Sequence, residues 1–146
     1  MNGAVGNGEL SVGVRFLDCD HREMAGILCQ IRTAVETDEH RNRTASLLRK
    51  LANFTRVHFA LEEEMMAATD YPCRSLHLIQ HQRLTEQMNA LVCRYQRGSI
   101  KLNPQSLGFL PELHAAHIET NDLGFGVWLN DQPSAGRSQI YTSNES

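Results

Sequence analysis

The sequence predicts an all-α fold, an antiparallel up-down four-helix bundle preceded by an N-terminal arm. Three observations predict it. Four apolar patterns recur at helical period, no stretch alternates as a strand would, and the connections between the patterns are short. The 146 residues suit one domain, because single cores typically run to about 100 to 150 residues. We expect a flexible arm over residues 1–9, the bundle over 10–130, and a disordered polar tail over 131–146.

The arm is rich in Gly and Asn, and Val12, Val14, Phe16 and Leu17 could pack the chain that follows it across the bundle. The first helix is expected from about Asp20, with His21, Met24, Leu28, Ile31 and Val35 on one stripe and Asp18 or Asp20 as its N-cap. A second, from about Thr44, carries Leu47, Leu51, Phe54, His58, Leu61 or Glu62, and Met65, until Thr69-Asp70-Tyr71-Pro72 breaks it. A third begins near Cys73, carries His77, His81, Leu84, Met88, Leu91 and Tyr95, and stops at Gly98. The fourth includes Phe109, Leu110, Leu113 and His117, with Pro111 in its first turn. From about Asp131 the chain is polar, with Pro133, Gly136 and several serines.

Composition excludes several classes. With 14 basic and 17 acidic side chains the net charge is -3, and no basic stripe interleaves with aromatics, so nucleic acid is not an expected partner. The N-terminus has neither the basic segment nor the apolar run of a signal peptide, and no apolar stretch reaches the ~18 residues of a membrane span. A cytoplasmic protein without a membrane partner is expected. Cys19, Cys29, Cys73 and Cys93 form no C-x-x-C pair and read as buried or half-buried free thiols.

The histidines carry the chemistry. Six of the seven lie on predicted helices, and His58-x-x-x-Glu62 and His77-x-x-x-His81 repeat one spacing. Four residues apart on a helix means one face and about 6 Å, within reach of a common metal ion, and facing helices of a bundle can complete the set. His21 lies on the first inward stripe and the fourth helix offers His117-x-x-x-x-Asp122. A lone helical histidine is more often a hydrogen-bonded packing residue. Seven potential ligands spread over four helices are not explained that way. Imidazole with carboxylate suits iron, zinc or manganese.

This ordered pattern resembles the hemerythrin family. Leu10-Ser11-Val12-Gly13-Val14 through Asp18-Cys19-Asp20-His21 is similar to the family's stretch before its first histidine. His58-Phe59-x-x-Glu62-Glu63-x-Met65 followed by Tyr71-Pro72 is similar to its central signature, and His77-x-x-x-His81 and His117-Ile118-x-x-x-Asp122 complete the order. The resemblance implies two non-haem iron ions joined by an oxo or hydroxo group. It assigns His77, His81 and His117 to one iron, His21 and His58 to the other, and Glu62 and Asp122 to both as bridges. It further implies an open position on the two-histidine iron for dioxygen or a similar small molecule such as nitric oxide or peroxide.

The sequence departs from the family at its small-molecule pocket. Trp-Leu commonly stands four and three residues before the last histidine ligand, and here those positions hold Leu113 and His114. His114 would hydrogen-bond the oxygen species, donate a proton to it, or occupy the open iron position, unless it swings outward to solvent. Asp20 and Phe125 stand where Gln and Tyr are common, and Gly124 and Gly126 weaken the last helix. Glu63, Glu64 and His40 read as solvated. The leading expectation is reversible dioxygen binding for transport, storage or sensing. The alternatives are a di-iron enzyme (oxidase, peroxidase or nitric oxide reductase) using His114 as proton donor, and an iron or oxygen sensor acting through a partner, with Cys19 as a thiol contact. Ferritin-like chemistry is set aside because no Glu-x-x-His pair is present.

Overall fold

The computed structural model describes residues 11–37 and 41–132. The arm expected over residues 1–9, His40 and the tail beyond Gln132 lie outside the described residues. Three long helices, α1 (Arg15–Glu36), α2 (Arg41–Ala68) and α3 (Arg74–Gln96), are followed by a short α4 (Pro104–Leu107). A fourth limb then runs through α5 (Phe109–His117), a π-helical segment (Ile118–Asp122) and α6 (Leu123–Asn130). Consecutive limbs run antiparallel and close into a four-helix bundle, and the described residues contain no strand.

α1 begins earlier than the expected start at Asp20. Val14 is its N-cap, in extended conformation and without a side-chain cap, so neither Asp18 nor Asp20 caps it. The burial of Leu17 and His21 extends the inward stripe by a turn. Asp18 lies in that first turn, where a carboxylate complements unpaired N–H groups, and reaches back to accept from the Val12 N–H at 2.8 Å and the Ser11 hydroxyl at 2.9 Å.

α3 buries its expected stripe and α2 buries its own except at Phe54, which is half-buried while Thr55 turns inward; between Leu61 and Glu62 it is Glu62 that turns inward: Leu61 is 43 % exposed, Glu62 0 %. Both helices end in the same motif. At the end of α2, Asp70 takes the left-handed conformation (φ 56°) while the Tyr71 N–H donates to the Met66 carbonyl at 3.0 Å. At the end of α3, Gly98 (φ 76°) takes the equivalent place while the Ser99 N–H donates to the Arg94 carbonyl at 2.9 Å. Each arrangement satisfies carbonyls that the helix leaves unpaired. α4 is started by Asn103, whose Oδ1 accepts from the Ser106 N–H at 2.8 Å while Ser106 Oγ accepts from the Asn103 N–H at 3.0 Å.

The interior is stacked in three layers. One apolar cluster joins Met24, Ile27, Ile31, Leu48, Leu51, Met88, Leu91 and Leu110. Another, at the opposite end, joins Val12, Val14, Leu17, Met66, Phe125 and Leu129. On α1, α2 and the fourth limb the buried histidines and carboxylates fall between residues of these two clusters, and on α3 His77 and His81 precede Met88 and Leu91 of the first. The segment before α1 crosses the bundle end with Val12 and Val14 buried, and a Cβ at Gly126 would lie 1.8 Å from the Val12 carbonyl oxygen. Gly126 therefore admits a backbone crossing that no side chain would allow, and α6 continues through both glycines to Asn130.

The cysteine expectation is corrected: all four are exposed. Cys19, Cys29 and Cys93 each stand two residues from a buried neighbour on both sides, between Leu17 and His21, Ile27 and Ile31, and Leu91 and Tyr95. Two steps of about 100° turn a side chain to the outer face. Among the described residues, no helix is long and apolar enough to cross a membrane.

Candidate metal centre

The middle layer holds His21, His58, Glu62, His77, His81, His117 and Asp122 out of water, none more than 6 % exposed. Their ligand-type atoms form two groups, each with its members within 4.8 Å of one another: Glu62, His77, His81, His117 and Asp122 in one, and His21, His58 and Asp122 in the other. α3 supplies the adjacent pair His77 and His81, α2 supplies His58 and Glu62, α1 supplies His21, and the fourth limb supplies His117 and Asp122.

The fourth limb needs a special conformation to do this. His117 and Asp122 are five residues apart, which on an α-helix leaves their side chains about 140° apart. The π segment between them, closed by the Leu123 N–H donating to the Ile118 carbonyl, widens the turn so that both side chains face inward. His117 Nε2 and Asp122 Oδ1 lie 2.9 Å apart as a result.

Asp122 stands between the groups. Its Oδ1 faces His77 Nε2 at 2.8 Å and His117 Nε2 at 2.9 Å, while its Oδ2 faces His21 Nε2 at 2.8 Å and His58 Nε2 at 4.0 Å. Glu62 Oε1 faces His77 Nε2 at 3.0 Å and His81 Nε2 at 2.8 Å, so Glu62 is seen to address only the three-histidine group.

Many of these contacts are short without being hydrogen bonds. Among the described residues, both oxygens of Glu62 and the Nε2 atoms of His58, His81 and His117 are buried with no hydrogen-bond partner. Buried polar atoms in folded proteins are nearly always paired, and an orphan calls for an explanation such as an ion. Lone pairs converging on common points fit a cation, and a set of five imidazoles and two carboxylates suits a metal of intermediate softness such as iron.

The metal-free charge pattern follows from the same crowding. Burial works against a charge on His58, but the carboxylates of Asp122 and Asp20 outweigh it and raise its pKa to about 9. His77 is likewise opposed by burial and raised to about 9 by Asp122 and Glu62. Burial and then the neighbouring charges of His117 and His77 hold His81 down to about 2. Burial also pushes Asp122 upward, yet the close approach of His117, His21, His58 and His77 holds it well below the usual carboxylate range. Glu62, buried beside the charged Asp122, is pushed up to about 7. Two adjacent buried carboxylates cannot both ionise freely, and here Asp122 is the one that keeps its charge.

Two carboxylates sit behind the histidines. His58 Nδ1 donates to Asp20 Oδ2 at 2.9 Å, and His81 Nδ1 donates to Glu63 Oε2 at 2.7 Å. A carboxylate on the far ring nitrogen fixes the tautomer and points the Nε2 lone pair inward. Glu63 is therefore not simply solvated, correcting the expectation from its position on the helix, whereas Glu64 is exposed. His81 also stacks on Phe59, with ring centroids 3.8 Å apart and planes at 7°.

His114 turns inward, not to solvent. It is 8 % exposed, its Nδ1 donates to the Leu110 carbonyl at 3.1 Å, and it belongs to neither ligand group. Burial lowers its pKa. The side chain of Leu113, expected to line the same pocket, lies outside the described residues.

The Hemerythrin HHE cation binding domain family matches residues 12–129 of the chain. A bacteriohemerythrin of Pseudomonas aeruginosa is 24% identical over 117 residues, covering 80% of this chain and 75% of that protein. A bacteriohemerythrin of Ralstonia nicotianae is 26% identical over 130 residues, covering 89% and 91%. The solved structure of a wild-type hemerythrin superposes with a TM-score of 0.76 at 20% identity, over 86% of this chain and 95% of that one.

Proposed function

The chain belongs to the hemerythrin family, and on that premise we propose that it binds dioxygen reversibly at a di-iron centre held by the seven converging residues. His77, His81 and His117 would hold one iron, His21 and His58 the other, with Asp122 and Glu62 shared between them alongside an oxo or hydroxo group. The observation that carries the reading is the double allegiance of Asp122, whose two oxygens face different histidine groups. The unequal groups, three histidines against two, favour small-molecule binding on the two-histidine side. Bound iron would supply the electrons and the coordination position for dioxygen.

The rest is the work of the chain. Asp20 and Glu63 hold the proton on the outer nitrogen of His58 and His81, which keeps each inner lone pair available. The apolar clusters above and below the layer exclude water, and Phe59 and Phe125 wall the three-histidine side, Phe125 edge-on to His77 at 6.4 Å. Excluding water and limiting proton supply is what keeps a bound oxygen species from leaving as peroxide.

The experiment is anaerobic reduction followed by exposure to air, with the visible spectrum recorded for the native protein and for His114→Leu. A band that persists in air and disappears on deoxygenation is expected of the native protein. Immediate and irreversible conversion to the oxidised spectrum would overturn reversible binding and favour the oxidase reading.

A further inference from the structure

His114 is the buried titratable group that the seven-residue centre leaves without a task. It sits three residues before His117 on α5, and the charges that bear on it are those of His117, His21 and His58, from three limbs of the bundle. Three residues before His117 on one helix face and 8 % exposed, the ring lies inside the bundle beside the histidine layer. A neutral imidazole carries one donor and one acceptor. With the Nδ1 proton committed to the Leu110 carbonyl, Nε2 carries the lone pair. That atom is buried and has no hydrogen-bond partner among the described residues.

We infer that His114 makes the pocket selective for small ligands that bear a proton when bound, by accepting a hydrogen bond at Nε2. The inference rests on the di-iron reading and specifies which ligands that site prefers. Of the roles expected from the sequence it keeps the hydrogen bond and not the proton donation: with its proton held on the far side of the ring, His114 accepts from the ligand. Nε2 lies outside both ligand groups, which places the ring where it acts on the ligand. An apolar side chain at this position would offer shape alone. An imidazole acceptor discriminates between ligands of equal shape and charge, since a ligand with no proton leaves the buried nitrogen unpaired.

Two measurements test it. Nitrogen-15 NMR of the metal-free protein reports the tautomer of His114: a proton on Nδ1 and a bare Nε2 is expected, and a proton on Nε2 overturns the inference whatever metal the protein binds. In the iron-loaded protein, azide is compared with hydrogencyanamide, a linear monoanion of similar size that carries an N–H. The ratio of their dissociation constants should favour hydrogencyanamide about fivefold more in the native protein than in His114→Leu, and His114→Gln, which keeps an acceptor, should recover most of the difference. An unchanged ratio at full iron content overturns the role of His114 and leaves the di-iron reading intact. Failure to take up iron, or to bind azide at all, overturns the di-iron reading and this inference with it.

Discussion

The α2–α3 pair and the fourth limb reach the same centre by different means. On α2 and α3 the inward residues are four apart, His58 with Glu62 and His77 with His81, and a regular helix suffices. On the fourth limb they are five apart, and the backbone leaves α-helical geometry between Ile118 and Asp122 to bring Asp122 beside His117. The irregular limb holds the residue on which the whole centre turns, since among the described residues Asp122 alone belongs to both histidine groups. A locally unfavourable turn is retained where it places a shared carboxylate.

The largest effect should come from that residue. Asp122→Ala removes an oxygen from each group, and iron content after reconstitution should fall from about two per chain to below about one, with apparent affinity down more than a hundredfold. A loss confined to one site would show that the carboxylate serves only one group. Asp20→Asn and Glu63→Gln act on the regular pair at one remove, and each should weaken iron binding about tenfold, read by competition with a chelator. Equal weakening of both irons by either substitution would contradict the division into two groups.

Stability distinguishes the regions next. Gly126→Ala drives a methyl group into the Val12 carbonyl and should cost about 2 kcal/mol in chemical denaturation, while leaving the iron spectrum recognisable. In the metal-free protein, His58 and His77 have pKa values raised to about 9 from 6.5. Their stabilisation is fully present below about pH 6.5 and is lost as pH rises to about 9, so the melting temperature should fall across that window. Metal competes for the same lone pairs, so iron affinity should rise across it. A metal-free melting temperature that rises instead would contradict the charge pattern of the layer.

Deletion of Thr120 gives the smallest expected effect and the sharpest contrast between limbs. It leaves His117 and the shared aspartate four apart, the spacing a regular helix needs, so the π turn should disappear with iron content near two. Loss of iron on this deletion would show that the wide turn does more than place the carboxylate.

The sequence carried most of the bundle because its spacing is regular: the inward stripe of α3 runs from His77 to Tyr95 as periodicity requires. The π turn was hidden, since a five-residue spacing names two candidate ligands without saying how both face inward. Asp20 and Glu63 escaped because their role depends on rings from other helices, His58 of α2 and His81 of α3. The signal available was chemical: a buried ligand histidine needs a partner for its outer N–H, and carboxylates adjacent to His21 and Glu62 were the nearest candidates. An acidic residue before an apolar stripe reads as a cap and sets the start of α1 late, whereas Asp18 ties the preceding segment to the first turn.

The most direct measurement of the central claim is metal content per chain after anaerobic iron reconstitution and desalting, by elemental analysis against protein concentration. Two irons per chain are predicted, falling below one in Asp122→Ala. One zinc and no iron in the native protein would contradict it.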